Sequence, residues 1–442
     1  LAGPQSSHAP HRPPRRSGPP AWYWSYALFG VSAAGLSPIL LPVLVAAGDG
    51  AGEVGLVMAA LNVGVLSSPL WGRLADRYQG HRPLFFLGML LVTLSMAGFG
   101  FRGQLGYWLV LGLVQGLGIG GVNTMASLFV VEFEPKQQWT RLISRLQTLN
   151  GLGQAAGTLL AGVFSRRGTY AIGFWVAALL LVPALWSGNR GLPAATERRH
   201  VPGSARRAIG NLVRRAERLS GAIFYAVHRP TLDHLRSLAS VAARPLASPF
   251  GRFLSSWLLF TIGSGAFFTF YPLLMVHAYG IPLWAASVVL AAVTAARLPL
   301  FAPSGALCRS RGSQAVFRIF LVIRGSCFLG LFILVYFRGA AAAAVTILLL
   351  SVATAAWPLV SVSATELAAE LAPGSEGEAM GLFNAASAAA SLVGALVGGG
   401  LAALLGYGSI AALAAACCAG ALALARWESP APGQPQRGDT GA

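Results

Sequence analysis

The sequence predicts an all-α membrane protein of twelve transmembrane helices, arranged as two pseudo-symmetric bundles of six. Three observations lead there. The 442 residues are 55% hydrophobic and 10% charged, with a mean hydropathy of +0.63, more apolar than a soluble domain. Apolar stretches of roughly 18 to 25 residues recur along the chain, and about 20 residues cross a hydrocarbon core of ~30 Å. One long polar interruption divides those stretches six and six.

Residues 1–21, rich in Pro, Ser and Arg, cannot bury a core and read as a disordered tail meeting the membrane at Trp22, Tyr23 and Trp24. The chain opens on Leu rather than Met, which fits truncation or processing. No cleavable signal pattern precedes the first span. Spans at 22–46, 54–74, 84–101, 105–131, 142–164 and 170–186 form an N-terminal bundle over residues 22–187. Residues 188–252 form a linker. Spans at 253–276, 283–307, 315–337, 340–366, 379–405 and 409–427 form a C-terminal bundle over residues 253–427, and residues 428–442 are a second polar tail.

The formal charge of +18 could indicate nucleic acid, but its distribution points to a membrane. Arg12, Arg15 and Arg16, then Arg73, Arg77 and Arg82, then Lys136, Arg141 and Arg145, and finally Arg309, Arg311 and Arg318 all fall on one side of the spans. The opposite connections hold Arg102, Arg166, Arg167 and Arg338. The positive-inside rule then places both termini in the cytoplasm. A single Lys, Lys136, against many Arg, with abundant Ala and Gly, fits a G+C-rich bacterial coding bias and hence a bacterial inner membrane. Cys308, Cys327, Cys417 and Cys418 lie in or beside spans and read as free thiols.

The linker is strongly cationic. Ile209, Leu212, Val213, Ala216, Leu219 and Ile223 recur at helical spacing while Arg207, Arg214, Arg215 and Arg218 occupy other faces, the pattern of a helix lying on anionic inner-leaflet headgroups. A solvated connector is the simpler alternative.

The two halves resemble each other. Gly72-Arg73-Leu74-Ala75-Asp76-Arg77 after the second span matches Gly305-Ala306-Leu307-Cys308-Arg309-Ser310 after the eighth. Gly157-Thr158-Leu159-Leu160-Ala161-Gly162 in the fifth matches Gly394-Ala395-Leu396-Val397-Gly398-Gly399 in the eleventh. A parallel six-span repeat explains both pairs.

The loop from Gly72 to Arg82, through Asp76, Arg77 and Gly80, resembles the signature loop of the major facilitator superfamily, with one extra residue between Arg77 and Gly80. The resemblance covers residues 22–427 and implies the two-bundle fold of that family, transport by alternating access, and a monomer. It also implies a latch that closes the cytoplasmic side, in which Asp76 accepts from amides opening the eleventh helix and Arg77 pairs with Glu132. A tight turn with inner-leaflet anchoring explains Gly72, Gly80 and Arg82 equally. Two further motifs match in part. Gln115 and Gly116 fit the family's fourth-helix motif, but Gly112 stands where the motif has Arg, so proton coupling by that route is not implied. Gly153 to Gly162 resembles the fifth-helix antiporter motif, with Thr158 replacing Pro; close helix packing through small residues is the plainer explanation.

No acidic residue falls near the middle of a span, which disfavours a cation pump driven by a central carboxylate. Arg297 is the sharpest positive signal. It lies eight residues before Gly305, about 12 Å inside the eighth span at 1.5 Å per residue, and there it must face a cavity, pair or snorkel. Arg324, six residues beyond Arg318, is expected to snorkel. Uncharged residues at similar depth complete a candidate substrate site: Asn62, Gln115, Asn123, Asn150, Gln154, Ser264, Thr294, Thr354 and Asn384, with Trp357 as an aromatic wall. Tyr271, Phe267, Phe268 and Phe270 extend that wall or face lipid.

No His, Ser or Cys has a partner that would make a catalytic set, and there is no phosphate-binding loop for ATP, so no enzyme, cofactor or metal is expected. The expected function is secondary active or facilitative transport of a small organic, anionic or amphipathic solute. Alternatives are efflux of neutral hydrophobic drugs, lipid transport, and a non-transporting scaffold or sensor.

Overall fold

A computed structural model describes residues 22–48, 50–78, 81–101, 103–133, 139–166, 168–191, 246, 248–371 and 376–426. Within its helices the side chains of residues 69, 73, 76–78, 131–133, 139–141, 143–144, 189–191 and 376–381 lie outside the description. Both tails and the linker helix proposed over 205–227 lie outside it as well.

The described residues form helices and no strand. The first half holds α1 (Trp22–Ala46), α2 (Ala51–Val65 continued by Ser68–Tyr78), α3 (His81–Phe99), α4 (Leu105–Phe133), α5 (Trp139–Val163) and α6 (Tyr170–Gly191). The second holds α7 (Pro249–His277), α8 (Leu283–Arg311), α9 (Ser313–Leu334), α10 (Ala340–Ala355 continued by Trp357–Glu370), α11 (Glu376–Leu405) and α12 (Ser409–Leu424). Ten of them are long and apolar enough to cross a membrane. Of the other two, α5 is 25 residues long but bears Arg145, Gln147, Asn150 and Gln154, and α12 has only 16 described residues. Several helices overrun the apolar spans: α5, α7 and α9 start earlier and α6, α8 and α10 run later than hydropathy suggests. Backbone hydrogen bonding continues into polar residues beyond the hydrocarbon, where hydropathy no longer marks the helix.

The breaks have local causes. Pro69, Pro299 and Pro358 lack the amide a continuous helix needs, and each stands in the first turn after a break. In α8 the interruption is a 3-10 turn over Leu298–Leu300. Gly312, at φ 82°, takes the left-handed turn between α8 and α9. In α1 the middle, Gly30–Leu36, widens into a π-helix.

Within the first bundle α4 packs on α2 and α3, and α1 on α5 and α6; in the second, α7 packs on α11 and α12, and α9 on α10 and α12. The bundles meet through α2 with α11, α5 with α8, and α1 with α7. Because α2 and α5 correspond to α8 and α11 in the repeat, the first two contacts are one contact made twice. Phe85, Phe99 and Phe174 fill the first core, and Phe253, Phe260, Phe267 and Phe270 the second. Large apolar side chains such as Leu94, Leu179, Ile333, Leu348 and Leu404 remain exposed on the outside, as a lipid-facing surface requires.

Candidate solute site between the bundles

Arg82, Arg309 and Arg311 mark one end of the helices as the basic end. At the opposite end the bundles touch closely. A Cβ on Gly55 of α2 would lie 2.7 Å from the Ala395 carbonyl and 2.9 Å from the Gly399 Cα of α11. A Cβ on Gly162 of α5 would lie 3.1 Å from the Ser287 Cβ of α8. One helical turn and more toward the basic end, Gly157 and Gly394 pack inside their own bundles, against Val31 of α1 and Ile262 of α7. The repeated glycine segments therefore hold helices together, and the fifth-helix motif needs no antiport role to explain it. Toward the basic end, Ser68–Tyr78 packs on α4 and α3, and Phe301–Arg311 on α9 and α10, each within its own bundle. There the polar Gln147 of α5 and Asn384 of α11 are exposed. Among the described residues these basic-end segments make their main contacts within their own bundles, while α5 and α8 still touch where Gly151 faces Leu298.

Arg297 stands at mid-height: it is the central residue of the 29 in α8, just before the Leu298–Leu300 turn. It is half-buried, and its Nη2 donates to Gln154 Oε1 on α5 at 3.2 Å, joining the two bundles. Its Nε is buried with no hydrogen-bond partner. Elsewhere on the first bundle, the Tyr26 hydroxyl donates to Asn123 Oδ1 at 2.8 Å, and Asn150 Oδ1 lies buried and unpartnered against Gly30, at the start of the π-helix. Gln115 is fully buried and donates to Ser37 Oγ at 2.8 Å. Asn62 is half-buried and donates back to the Met58 carbonyl of its own helix.

On the second bundle, Thr294 and Thr354 are buried and Ser264 is taken up by Arg324. Trp357 is half-buried at the start of the second segment of α10, a segment that touches the turn following Arg297. Its ring stacks on Phe260 with centroids 6.4 Å apart. Phe267, Phe270 and Tyr271 are fully buried, with the Tyr271 hydroxyl donating to the Ala286 carbonyl, so they form core and face neither lipid nor cavity.

Arg324 corrects the sequence expectation. It does not snorkel. It lies near the middle of α9 with no exposed surface, its Nη1 donating to the Ala353 carbonyl at 2.8 Å and its Nη2 to Ser264 Oγ at 2.7 Å. Its Cζ sits over the rings of Phe260, Phe268, Phe328 and Trp357 at 5.1 to 5.6 Å. Among the described residues no carboxylate pairs with it. Each charge-assisted hydrogen bond contributes roughly 1.5–3 kcal/mol, and a desolvated cation–π contact up to about 2 kcal/mol. Together these offset an insertion cost of about 2.5–3.5 kcal/mol.

Of the latch, Gly72 is half-buried with open space around it, and Arg82 is half-buried. The side chains of Asp76, Arg77, Gly80 and Glu132 lie outside the described residues. Glu366 and Glu370, near the basic end of α10, share the hydroxyl of Ser313, at 2.9 and 3.1 Å. A groove of about 450 Å³ between α9 and α12, lined by Leu321, Leu329, Ala415 and Leu422, is apolar and lies on the outside of the second bundle.

The family model described as Major Facilitator Superfamily matches residues 22–377. The chain belongs to this superfamily. The multi-drug resistance efflux pump PmrA of Streptococcus pneumoniae is 31% identical over 145 residues, 31% of this chain and 34% of that protein. An MFS-type transporter of Bacillus subtilis, YfkF, described as uncharacterized, is 28% identical over 134 residues, 30% of this chain and 34% of its own length. The alignments thus span about a third of these relatives. Among solved structures, the peptide transporter POT in complex with sulfate superposes with a TM-score of 0.67 at 16% identity, over 93% of this chain and 94% of that one. A point mutant of the nucleoside transporter NupG superposes with a TM-score of 0.63 at 10% identity, over 92% and 96%. At such identities the likeness is one of fold, and the chain is a member of this superfamily with ten described helices long and apolar enough to cross a membrane.

Proposed function

We propose that this transporter carries a small organic solute, anionic or amphipathic, by alternating access, with Arg297 as the group that binds its negative charge. The observation behind this is the placement of Arg297: mid-height, between the bundles, half-buried, held by one neutral partner, with an unpartnered Nε. Among the described residues no carboxylate balances a cation so placed, and an anionic solute bound there supplies that charge. The basic end is cytoplasmic by the positive-inside rule, so both termini are too, and the membrane is a bacterial inner membrane. On this reading Gly72, Asp76, Arg77, Gly80, Arg82 and Glu132 stabilise the alternative, cytoplasm-closed state. The basic linker at 188–252 rests on anionic headgroups, and the protein works as a monomer.

A screen of organic anions by thermal shift identifies the solute, and Arg297→Gln tests its site. The substitution should remove the stabilisation and lower uptake into proteoliposomes at least tenfold. Unchanged rate and affinity in Arg297→Gln, or a screen in which only neutral solutes stabilise the protein, would reject the anion reading. The second outcome would favour efflux of neutral hydrophobic drugs; the pneumococcal relative is named a multi-drug resistance efflux pump.

A further inference from the structure

We propose that Arg324 is a specificity-determining residue, whose fixed charge, presented through the ring of Trp357, sets the space between the bundles to admit anion-bearing planar solutes and to reject organic cations. This rests on the reading of the space at Arg297 as the solute site.

Aromatic rings around a cavity ordinarily attract organic cations, because ring faces carry negative potential. Here that attraction is already used from inside. The Arg324 guanidinium lies over Phe260, Phe268, Phe328 and Trp357, and only Trp357 and Phe268 among these rings retain any exposed surface. The segment that Trp357 opens touches the turn following Arg297, and on this proposal the exposed part of the Trp357 ring borders the space at Arg297. A solute stacked on Trp357 meets a ring whose electron density is drawn toward a buried cation. Two neutral acceptors, Ser264 Oγ and the Ala353 carbonyl, fix the guanidinium without cancelling its charge. Ala353 lies in the last turn before the break at Ala356, so the same bond also fixes where Trp357 stands. In a medium of effective dielectric near 20, a unit charge within about 8 Å biases anion over cation by at least roughly tenfold.

The test reads electrostatic potential directly and needs no knowledge of the solute. Ser361, half-buried and one turn beyond Trp357 on the same helix face, is replaced by Cys. The native cysteines are buried, and the unsubstituted protein serves as the blank. Rates of modification by sulfonatoethyl and trimethylammonioethyl methanethiosulfonate are each normalised to a free thiol. The anionic reagent should react faster; Arg324→Gln should lower the anion-to-cation ratio at least tenfold, and Arg324→Lys should preserve it. An unchanged ratio in a folded Arg324→Gln protein overturns the proposal. Should Arg324→Gln not fold, equal normalised rates in the Arg324-containing protein overturn it. In Arg297→Gln the preference should persist in part, so failure of Arg297 as the solute site and failure of Arg324 as the selector give different results.

Discussion

Arg297 on α8 and Gln154 on α5 are joined at 3.2 Å across the gap between the bundles, at the mid-height of both helices. The bond ties together two rigid bodies that alternating access requires to separate and re-form. A double-mutant cycle of Arg297→Gln and Gln154→Leu in reversible detergent unfolding should give a coupling of about 0.5–1.5 kcal/mol, the range of hydrogen bonds inside membranes. Strict additivity would mean that the two side chains do not interact.

Gly52 and Ala403 sit where α2 meets α11, and a Cβ on Gly52 would stand 3.9 Å from the Ala403 Cβ. That separation suits a disulfide. Gly52→Cys with Ala403→Cys should cross-link under mild oxidation, hold the bundles shut at that end, and abolish transport until reduced. Transport that continues in the fully cross-linked protein would show that this end never opens.

Much of this arrangement was legible in the sequence. That α2 corresponds to α8 and α5 to α11 follows from Gly72 against Gly305 and Gly157 against Gly394, and in the fold α2 meets α11 and α5 meets α8 to build the interface. The depth of Arg297 followed from counting residues back from Gly305. Arg324 was not legible, because its box is assembled from α7, α9 and α10, with Phe260 and Trp357 far from it in sequence, and no periodicity along α9 reveals neighbours on other helices. Its depth offered a signal: it lies near the middle of its own span, as Arg297 does. The π-helix in α1 was equally hidden, since it arises where α1 lies against Asn150 and Gly153 of α5. Gln115, Thr294 and Thr354 have the composition of cavity residues but are buried, a distinction of helix rotation that hydropathy does not carry.

Gly399 and Gly400 are adjacent yet unlike. A Cβ on Gly399 would meet the Gly55 Cα at 2.8 Å across the bundles, whereas a Cβ on Gly400 meets nothing within 4 Å. Gly399→Leu should therefore wedge the seal open and shift the population toward the other state, seen as longer spin-label distances between α2 and α11. Gly400→Leu should leave those distances unchanged. Equal effects from the two would mean that bulk on α11 acts through lipid and not through the interface.

Gly112 occupies the place at which the superfamily's fourth-helix motif has an Arg. A Cβ there would lie 2.9 Å from the Val57 carbonyl of α2, and Gly116, one turn on, is packed against the Leu61 carbonyl of the same helix. The tight α2–α4 contact thus leaves no path for a long side chain, and the absence of Arg is a packing requirement of this chain. Gly112→Arg should destabilise the protein by about 3 kcal/mol or more, since it combines overpacking with an unpaired charge inside the bundle. Size-exclusion thermal stability in detergent measures this, with Gly112→Ala as the milder step. Gly112→Arg that folds with unchanged stability and gains proton-dependent uptake would show that α2 and α4 can part, and that the coupling group was lost for reasons other than packing.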